Sequence, residues 1–154
     1  MRKMIILAMV MVLALAFAGA AYAATYAGTG GDNTFVGTDR GDRAVMRAGD
    51  DRANGKGRAD FLFGNDGVDR LYGEDGPDLL NGGDGDDVIV GGEGEDELIG
   101  SRGDDTIYTG TETEGDKTSD EVQCGDGHDM VYLAGQDRAS HNLQAGKCEE
   151  IKNY

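Results

Sequence analysis

Several kinds of residue are scarce in this 154-residue chain, which has no Trp, one Pro and two Cys, and of which only 6% is aromatic. An enzyme domain built around an aromatic core is therefore not expected. Cations are also scarce, because 14 Lys and Arg face 30 Asp and Glu and the formal net charge is −16. Such a chain repels nucleic acid and anionic membranes, so we expect neither as a partner, and cations are its natural ligands.

The first 23 residues have the pattern of a secretory signal peptide. Arg2 and Lys3 precede an apolar run over residues 4–18, and Ala21 and Ala23 provide small residues for a cleavage site. This pattern predicts export to the extracellular space, with cleavage near Ala23 and no membrane association of the mature form. The alternative is an uncleaved membrane anchor, because the apolar run approaches the length that a bilayer needs.

The only two cysteines are Cys124 and Cys148. An even number of cysteines in an exported chain predicts a disulfide between them. A metal cluster with His128 and His141 is the alternative, but the spacing of these residues matches none of the usual zinc patterns.

A nine-residue repeat begins at Gly28 and continues through nine units to Tyr108 without an insertion. The consensus is G-G-x-G-x-D-x-U-x, where U is a large apolar residue. Position six is aspartate in every unit except the first, which has Asn33. Position eight is an apolar residue in all nine units, namely Phe35, Ala44, Ala53, Leu62, Leu71, Leu80, Ile89, Leu98 and Ile107.

Each position of the repeat suggests a structural role. Glycine at positions one, two and four allows positive φ and a tight turn, and the last three residues predict a short strand. Parallel stacking of such strands, with position eight inward, gives a narrow continuous core. Two units then form one coil, so aspartates 18 residues apart stack in two columns. One column holds Asp69, Asp87 and Asp105, and the other holds Asp60, Asp78 and Asp96.

Carboxylates stacked about one strand spacing apart, roughly 4.8 Å, repel one another strongly. A divalent cation between them would cancel two charges. Carboxylate and carbonyl oxygens favour Ca2+ over softer metals, and Mg2+ is less suited because it requires small octahedral sites and retains its waters.

Over residues 28–108 the chain resembles the hemolysin-type calcium-binding repeats of the RTX family. The resemblance implies an all-β fold, a right-handed parallel β-roll or β-solenoid. It also implies that Ca2+ lies between loops, bound by position-six aspartates and by carbonyl groups from about positions one to four. The implied aspartate ligands are Asp51, Asp60, Asp69, Asp78, Asp87, Asp96 and Asp105. The implied glycines of the binding loops are Gly64, Gly67, Gly73, Gly76, Gly82, Gly83, Gly85, Gly91, Gly92, Gly94, Gly100 and Gly103.

The resemblance also ranks the loops. The best sites, about four in number, are those between Asp51 and Asp69, Asp69 and Asp87, Asp87 and Asp105, and Asp78 and Asp96, whose loops all have glycine at position four. Arg40 and Arg58 occupy position four in two other loops, so weak or lost sites are expected there.

The chain divides into three segments on this interpretation. Residues 1–23 are the signal peptide and residues 24–108 the calcium-binding β-roll. Residues 109–154 contain an insertion, two degenerate units beginning at Gly115 and Cys124, and a tail without repeats. This tail resembles the ends of small secreted members of the family and predicts a C-terminal cap that the disulfide secures, since a solenoid exposes its last coil.

These observations predict a secreted calcium-binding protein that folds as it binds Ca2+. It would serve as a structural, adhesive or ion-buffering module, not as an enzyme, with an extracellular protein or glycan partner that the sequence does not identify. The alternative is a calcium-dependent extracellular enzyme acting on polysaccharides from a β-solenoid scaffold. Its only candidate groups are Glu112, Glu114 and Asp116 in the insertion and the nearby His128.

Two further expectations concern order and surface. A disordered acidic polymer that binds calcium diffusely fits the composition but not the strict phase of the repeat. Phe61 and Phe63 flank the inward-facing Leu62, so they are expected to face outward and to form a small apolar patch.

Overall fold

The computed structural model describes residues 23–110, 119–134 and 148–153. All regular structure in these ranges is β-strand, and they contain no helix that is long and apolar enough to span a membrane. The strands are β1 (Thr25–Ala27), β2 (Thr34–Val36), β3 (Arg43–Ala48), β4 (Arg52–Gly57), β5 (Phe61–Asp66), β6 (Arg70–Asp75), β7 (Leu79–Asp84), β8 (Val88–Glu93), β9 (Glu97–Arg102), β10 (Thr106–Tyr108), β11 (Glu121–Asp126), β12 (Asp129–Leu133) and β13 (Cys148–Asn153). The predicted signal peptide lies almost wholly outside these residues, as does His141.

The strands form two parallel sheets. The first sheet has the order β1-β3-β5-β7-β9-β11, and the second has the order β13-β12-β10-β8-β6-β4-β2. Consecutive strands alternate between the sheets as far as β12, so that two nonapeptide units complete one coil. The all-β parallel solenoid predicted from the repeat is confirmed.

The strands of the regular coils are longer than the three residues expected from the repeat. Phe61–Asp66, for example, covers positions seven to nine of one unit and positions one to three of the next. Its pairing with β7 continues past the bend, where Asn65 lies opposite Gly83 and Asp66 opposite Asp84. Because a strict 18-residue coil places each residue over its counterpart, hydrogen bonding between coils extends into the turn.

The core is formed mainly by one file of position-eight side chains. Leu62, Leu71, Leu80, Ile89 and Leu98 have no exposed surface. In the first coils the same column contains the fully buried but much smaller Ala44 and Ala53. The fully buried Met46, at position one of its unit, belongs to the same core cluster and adds a large side chain to the N-terminal coils.

The C-terminal end departs from the regular coil. β13 adds to β12 within the second sheet instead of returning to the first sheet. The predicted disulfide is confirmed, because Cys124 on β11 is bonded to Cys148 on β13, with their Cα atoms 5.5 Å apart. The bond therefore joins the last strand of the first sheet to the additional strand of the second. Closing a loop of this length is worth about 3 kcal/mol in the chain-entropy model.

Candidate functional site

Turns between the two sheets form two opposite edges of the solenoid. The first edge contains the segments that lead from the first sheet to the second, residues 28–33, 46–51, 64–69, 82–87, 100–105 and 124–129. The second edge contains the segments that return, residues 37–42, 55–60, 73–78 and 91–96, and it continues at Asp120. Each segment runs from position one to position six of a unit.

The position-six aspartates of the first edge form a hydrogen-bonded column. The backbone N–H of Asp51 donates to Oδ1 of Asp69 at 2.8 Å, and that of Asp69 donates to Oδ1 of Asp87 at the same distance. The next bond, from Asp87 to Asp105, measures 2.9 Å. Each aspartate thus uses one carboxylate oxygen to bind the backbone of the preceding coil.

The second edge has the same arrangement. The N–H of Asp60 donates to Oδ1 of Asp78 at 2.8 Å, and the N–H of Asp78 donates to Oδ1 of Asp96 at 2.9 Å. The structure therefore assembles the seven predicted aspartate ligands into two columns, with three on the second edge and four on the first. None of these seven side chains is more than 3% exposed.

The second carboxylate oxygen, Oδ2, is the unusual atom of these columns. Oδ2 is buried and has no hydrogen-bond partner in the described part of the chain at Asp51, Asp60, Asp69, Asp78, Asp87 and Asp105. A buried carboxylate oxygen without a partner costs on the order of several kcal/mol. The same atom is left in this state in successive coils, so the repeat itself imposes it, and a bound cation would remove the cost.

The position-one glycines leave space beside these atoms. A Cβ added to Gly64 would contact Oδ2 of Asp69 and would lie 2.5 Å from the carbonyl oxygen of Gly82. At Gly73 the corresponding atoms are Oδ2 of Asp78 and the carbonyl oxygen of Gly91, again at 2.5 Å. Glycine is needed here for space and not for positive φ, which corrects one of the three roles expected from the sequence. The other position-one glycines among the predicted site residues are Gly82, Gly91 and Gly100, each of which would contact its own aspartate in the same way.

The predicted glycines at positions two and four do have positive φ. Gly83 and Gly92 at position two have φ of 119° and 120°. At position four the angles range from 125° to 141° in Gly67, Gly76, Gly85, Gly94 and Gly103.

The two loops with arginine at position four differ from each other. Arg58 takes the glycine conformation, with φ of 69°, and its turn retains an unpartnered Oδ2 on Asp60. Arg40 does not take that conformation. The sequence treated both loops as doubtful, whereas only the one with Arg40 departs from the regular backbone geometry.

Burial raises the pKa of the column carboxyls. Desolvation is the main cause at Asp78, whose pKa rises to about 8; the N–H of Asp60 opposes the rise, and the carboxylates of Asp96 and Asp60 add to it. The pKa values of Asp87 and Asp105 rise to about 7 for the same reasons. Those of Asp51 and Asp60 rise to about 6, and that of Asp69 is also raised. The metal-free columns thus hold their negative charge poorly near neutral pH.

These donors fit a hard divalent cation. No three His, Cys, Asp or Glu side chains converge on one point within the described ranges, so a cation would have to take most of its ligands from backbone carbonyls. A carboxylate oxygen and a carbonyl oxygen from the adjacent coil do converge beside Gly64, Gly73, Gly91 and Gly100. Oxygen-only donors supplied by several coils match the large and flexible coordination sphere of Ca2+ better than the small octahedron of Mg2+.

The first two turns satisfy their position-six side chains differently. Oδ2 of Asp42 accepts the backbone N–H of Thr38 at 2.5 Å, and its Oδ1 accepts the N–H of Ala24. Oδ1 of Asn33 accepts the N–H of Thr29 at 2.6 Å. Backbone N–H groups therefore occupy the place where the regular turns leave Oδ2 open, and these turns do not need a cation.

The columns extend beyond the seven predicted aspartates. The N–H of Asp96 donates to Oδ1 of Asp120 at 2.9 Å, and the N–H of Asp105 donates to Oδ1 of Asp129 at 3.0 Å. The spacing across the insertion is 24 residues instead of 18. Both aspartates occupy position six of the degenerate units that begin at Gly115 and Cys124, and this phase was the available signal for them.

The residues suggested for a catalytic alternative do not form a site among the described residues. His128 is exposed at position five of its turn, where its backbone N–H donates to Asp104 at 2.9 Å. Glu112, Glu114 and Asp116 lie outside the described ranges.

Residues 47–80 and 81–112 match the family model of the RTX calcium-binding nonapeptide repeat, in four copies. This match covers the regular coils and all seven predicted aspartates. The comparison with curated proteins and the comparison with solved structures each returned no match. Nonapeptide repeats of this family bind Ca2+. The solenoid, its two aspartate columns and the family match agree, and residues 47–112 of this chain are RTX calcium-binding nonapeptide repeats.

Proposed function

We propose that this protein is a secreted module whose stacked turns bind Ca2+ between neighbouring coils and which folds as the ions bind. The observation that carries the proposal is the row of buried, unpartnered Oδ2 atoms on both edges. Aspartates adjacent along the first edge are Asp51, Asp69, Asp87 and Asp105, and those on the second edge are Asp60, Asp78 and Asp96. One ion between each adjacent pair gives about five ions, one more than the sequence suggested.

The residues of this chain would divide the binding as follows. Each position-six carboxylate would keep Oδ1 on the backbone of the preceding coil and direct Oδ2 to the ion. Carbonyl groups of the position-one glycines, such as Gly82 beside Asp69, would supply further oxygens. The glycines at positions two and four would keep the turn tight enough for both coils to reach the same ion.

Folding and binding are expected to be coupled because of charge. Without ions, the folded chain buries a carboxylate in every regular turn against a core that is one side chain wide. Unfolding hydrates those carboxylates, whereas Ca2+ neutralises them in place, so the ions stabilise only the folded state. Weak sites would remain empty at cytosolic calcium levels and fill outside the cell, which is consistent with the predicted signal peptide and would delay folding until after export.

A structural, adhesive or ion-buffering role suits this architecture better than catalysis. Nearly all of the buried acidic groups of the described chain belong to the repeat and are used in stacking. RTX repeats are generally structural or binding elements. We therefore propose that the physiological role is that of a calcium-stabilised extracellular scaffold.

The test is a calcium titration of the purified protein, followed by calorimetry and far-ultraviolet circular dichroism. About five ions should bind as the β signal appears, and Mg2+ at the same concentration should produce neither change. The site variant is Asp105→Asn, and the matched control is Asp104→Asn, the exposed neighbour at position five. The site variant should bind fewer ions, while the control should keep the number found in the unaltered protein.

Two results would contradict the proposal. One is a β signal of full size in the presence of chelator, which would show that the fold does not depend on the ion. The other is an equal loss of bound ions in both variants, which would show that the column carboxylates are not the ligands.

A further inference from the structure

The second edge of the solenoid carries its exposed charges in two separate blocks. Its first two turns present Arg40, Lys56 and Arg58, all exposed and without an ion pair in the described part of the chain. Its next two turns present the exposed acids Glu74, Asp75, Glu93 and Glu95 and no cation. One edge of the molecule is therefore basic at its N-terminal half and acidic at its C-terminal half.

The whole chain has the same polarity. Residues 24–70 contain seven Lys and Arg against eight Asp and Glu, whereas residues 71–134 contain two against nineteen. Four of the eight acids in the first range are buried at position six, at Asp42, Asp51, Asp60 and Asp69, so they contribute little to its surface. The surface of the first coils is consequently positive in a protein that is strongly negative as a whole.

Two of the basic residues occupy an unfavourable backbone conformation. Lys56 has φ of 84° and Arg58 has φ of 69°, in positions where the consensus has glycine. A residue with a side chain costs about 1 kcal/mol or more in this region of φ. Position two also has positive φ at Arg47, Asn65, Glu74 and Ser101, whereas Arg58 is the one residue with a side chain that takes positive φ at position four among the described residues.

The first edge lacks this division. Its exposed acids Asp32, Asp50 and Asp66 lie in the N-terminal half, and Asp86 and Asp104 in the C-terminal half. One of its few cations, Arg102, already pairs with Asp84 at 2.9 Å. Two first edges brought together would therefore repel each other along most of their length.

We propose that two copies of this chain pair side by side and antiparallel along their second edges. A twofold axis between turns 55–60 and 73–78 places turn 37–42 of one copy opposite turn 91–96 of the other. The same axis places turn 55–60 opposite turn 73–78. Both copies use the same surface, so the contact is isologous and closes as a dimer. Successive turns on both copies are spaced by one coil, about 4.8 Å, so the two blocks of charge meet in register.

Two grooves on this edge provide the contact surfaces. Arg40 and Arg58 border one groove, together with Thr38 and Asp39. The other groove includes Glu95 and the apolar Phe61, Pro77 and Leu79. The carboxylate of Asp39 opposes the partner's acids, but the two guanidinium groups outnumber it. The 45% exposure of the Phe61 side chain is also reduced in such a pair, since Phe61 lies beside the proposed axis.

Sedimentation velocity of the purified, calcium-loaded protein tests the pairing. Charge pairs at an exposed edge are screened by salt, so we expect a dimer at 50 mM NaCl whose dissociation constant rises by roughly tenfold or more at 500 mM NaCl. Arg40→Glu with Arg58→Glu should be monomeric, and so should Asp75→Arg with Glu95→Arg. An equimolar mixture of these two double variants should form a heterodimer, because one edge is then acidic apart from Lys56 and the other is largely basic.

The matched control is Arg47→Glu with Arg70→Glu, which makes the same change in charge at exposed sites away from the second edge. This control should dimerise like the unaltered protein, and the far-ultraviolet spectra of all variants should agree. A protein that is monomeric at 50 mM NaCl overturns the proposal, as does a mixture that fails to pair or a control that loses the dimer. Binding of dextran sulfate by the monomer through Arg40 and Arg58 would instead identify the edge as a polyanion site and would also overturn it.

Discussion

The first two turns of the solenoid and the regular turns that follow differ in whether a backbone N–H group satisfies the second oxygen of the position-six side chain. In regular turns such as 64–69 and 82–87, Oδ2 of the position-six aspartate is buried and has no hydrogen-bond partner among the described residues. In turn 37–42 the equivalent oxygen of Asp42 accepts the N–H of Thr38. The first turn repeats this device with Thr29 and Asn33.

The difference follows the backbone at position two. Thr29 and Thr38 avoid the left-handed region of φ, whereas position two has positive φ in the turns from residue 46 to residue 105. Where φ is not positive, the N–H at position two reaches the position-six side chain and satisfies it. In turns such as 64–69 and 82–87, where φ is positive, the N–H at position two does not reach the second oxygen, which is the atom that we propose for the cation. A change of one backbone angle thus separates a turn that closes by hydrogen bonding from a turn proposed to bind an ion.

The largest effect should come from pH, which acts on all of the regular turns at once. The pKa values of Asp60, Asp87 and Asp78 are about 6, 7 and 8 in the fold, above the ordinary value of about 4. The metal-free fold therefore binds more protons than the unfolded chain. It should gain stability as the pH falls from about 8 to about 4 and lose it as the pH rises through the same range.

Circular dichroism of the metal-free protein across this pH range measures the stability of the metal-free fold. A calcium titration at each pH measures how the calcium affinity changes over the same range. Calcium competes with protons for the same oxygens, so its affinity should fall over the range in which the metal-free fold gains stability. A metal-free protein that loses β signal on acidification from pH 8 would disprove the proton–calcium exchange.

A smaller but still large effect should come from filling the space beside one carboxylate. Gly82→Ala would place a Cβ against Oδ2 of Asp87, although φ at Gly82 is not in the left-handed region. We expect a loss of about 3 kcal/mol from the free energy of unfolding with calcium present, together with the loss of bound ions. Gly30→Ala is the control, because a Cβ at Gly30 meets no atom within 4 Å. Urea unfolding of both variants measures the difference, and equal losses would refute the steric explanation.

Neutralising one aspartate in each region compares the two kinds of turn directly. Asp87→Asn should lower calcium affinity roughly tenfold or more and reduce the number of bound ions, because a charged ligand is lost. Asp42→Asn should leave the number of ions unchanged and cost about 1–2 kcal/mol of stability, since an amide group cannot accept the N–H groups of both Ala24 and Thr38. Calorimetry and urea unfolding separate these outcomes, and a loss of ions in Asp42→Asn would remove the distinction between the turns.

The smallest effect should come from the one salt bridge found among the described residues. Arg102 and Asp84 make an ion pair at 2.9 Å, but their side chains are 71% and 54% exposed. Arg102→Ala should change the free energy of unfolding by only a few tenths of a kcal/mol, because exposed pairs are hydrated and screened. Thermal unfolding with calcium present is sufficient to measure it. A change above 1 kcal/mol would mean that surface charge, as well as the buried columns, controls the stability of the coils.

Much of the architecture was predictable because the repeat is strict. The nine-residue period with one apolar side chain at position eight predicts two sheets, and the 18-residue coil predicts which aspartates stack. The stacking of Asp69, Asp87 and Asp105 and the disulfide between Cys124 and Cys148 are both found in the structure. The seven aspartates predicted as calcium ligands are the ones that the structure stacks in two columns, and their binding of Ca2+ stays a prediction.

Other features required three-dimensional positions. The sequence assigned positive φ to all three consensus glycines, but position one is glycine because an aspartate oxygen from the same turn occupies the place of its side chain. It also treated Arg40 and Arg58 alike, although only Arg58 takes the glycine conformation. The continuation of the columns to Asp120 and Asp129 was indicated only by the phase of two degenerate units, and the hydrogen bonds that join residues 24 positions apart establish it.

Periodicity alone was enough to specify the β-solenoid, its single-file core and the two rows of acidic residues, because a repeated unit that buries one side chain can stack in few ways. The tertiary structure decided which oxygen of each carboxylate is left without a partner, and that two turns need no ion at all. It also brought Arg40, Lys56 and Arg58 onto the same edge as Glu74, Asp75, Glu93 and Glu95. These outcomes depend on contacts between residues about 18 positions apart, and such contacts exist only once the coils have stacked.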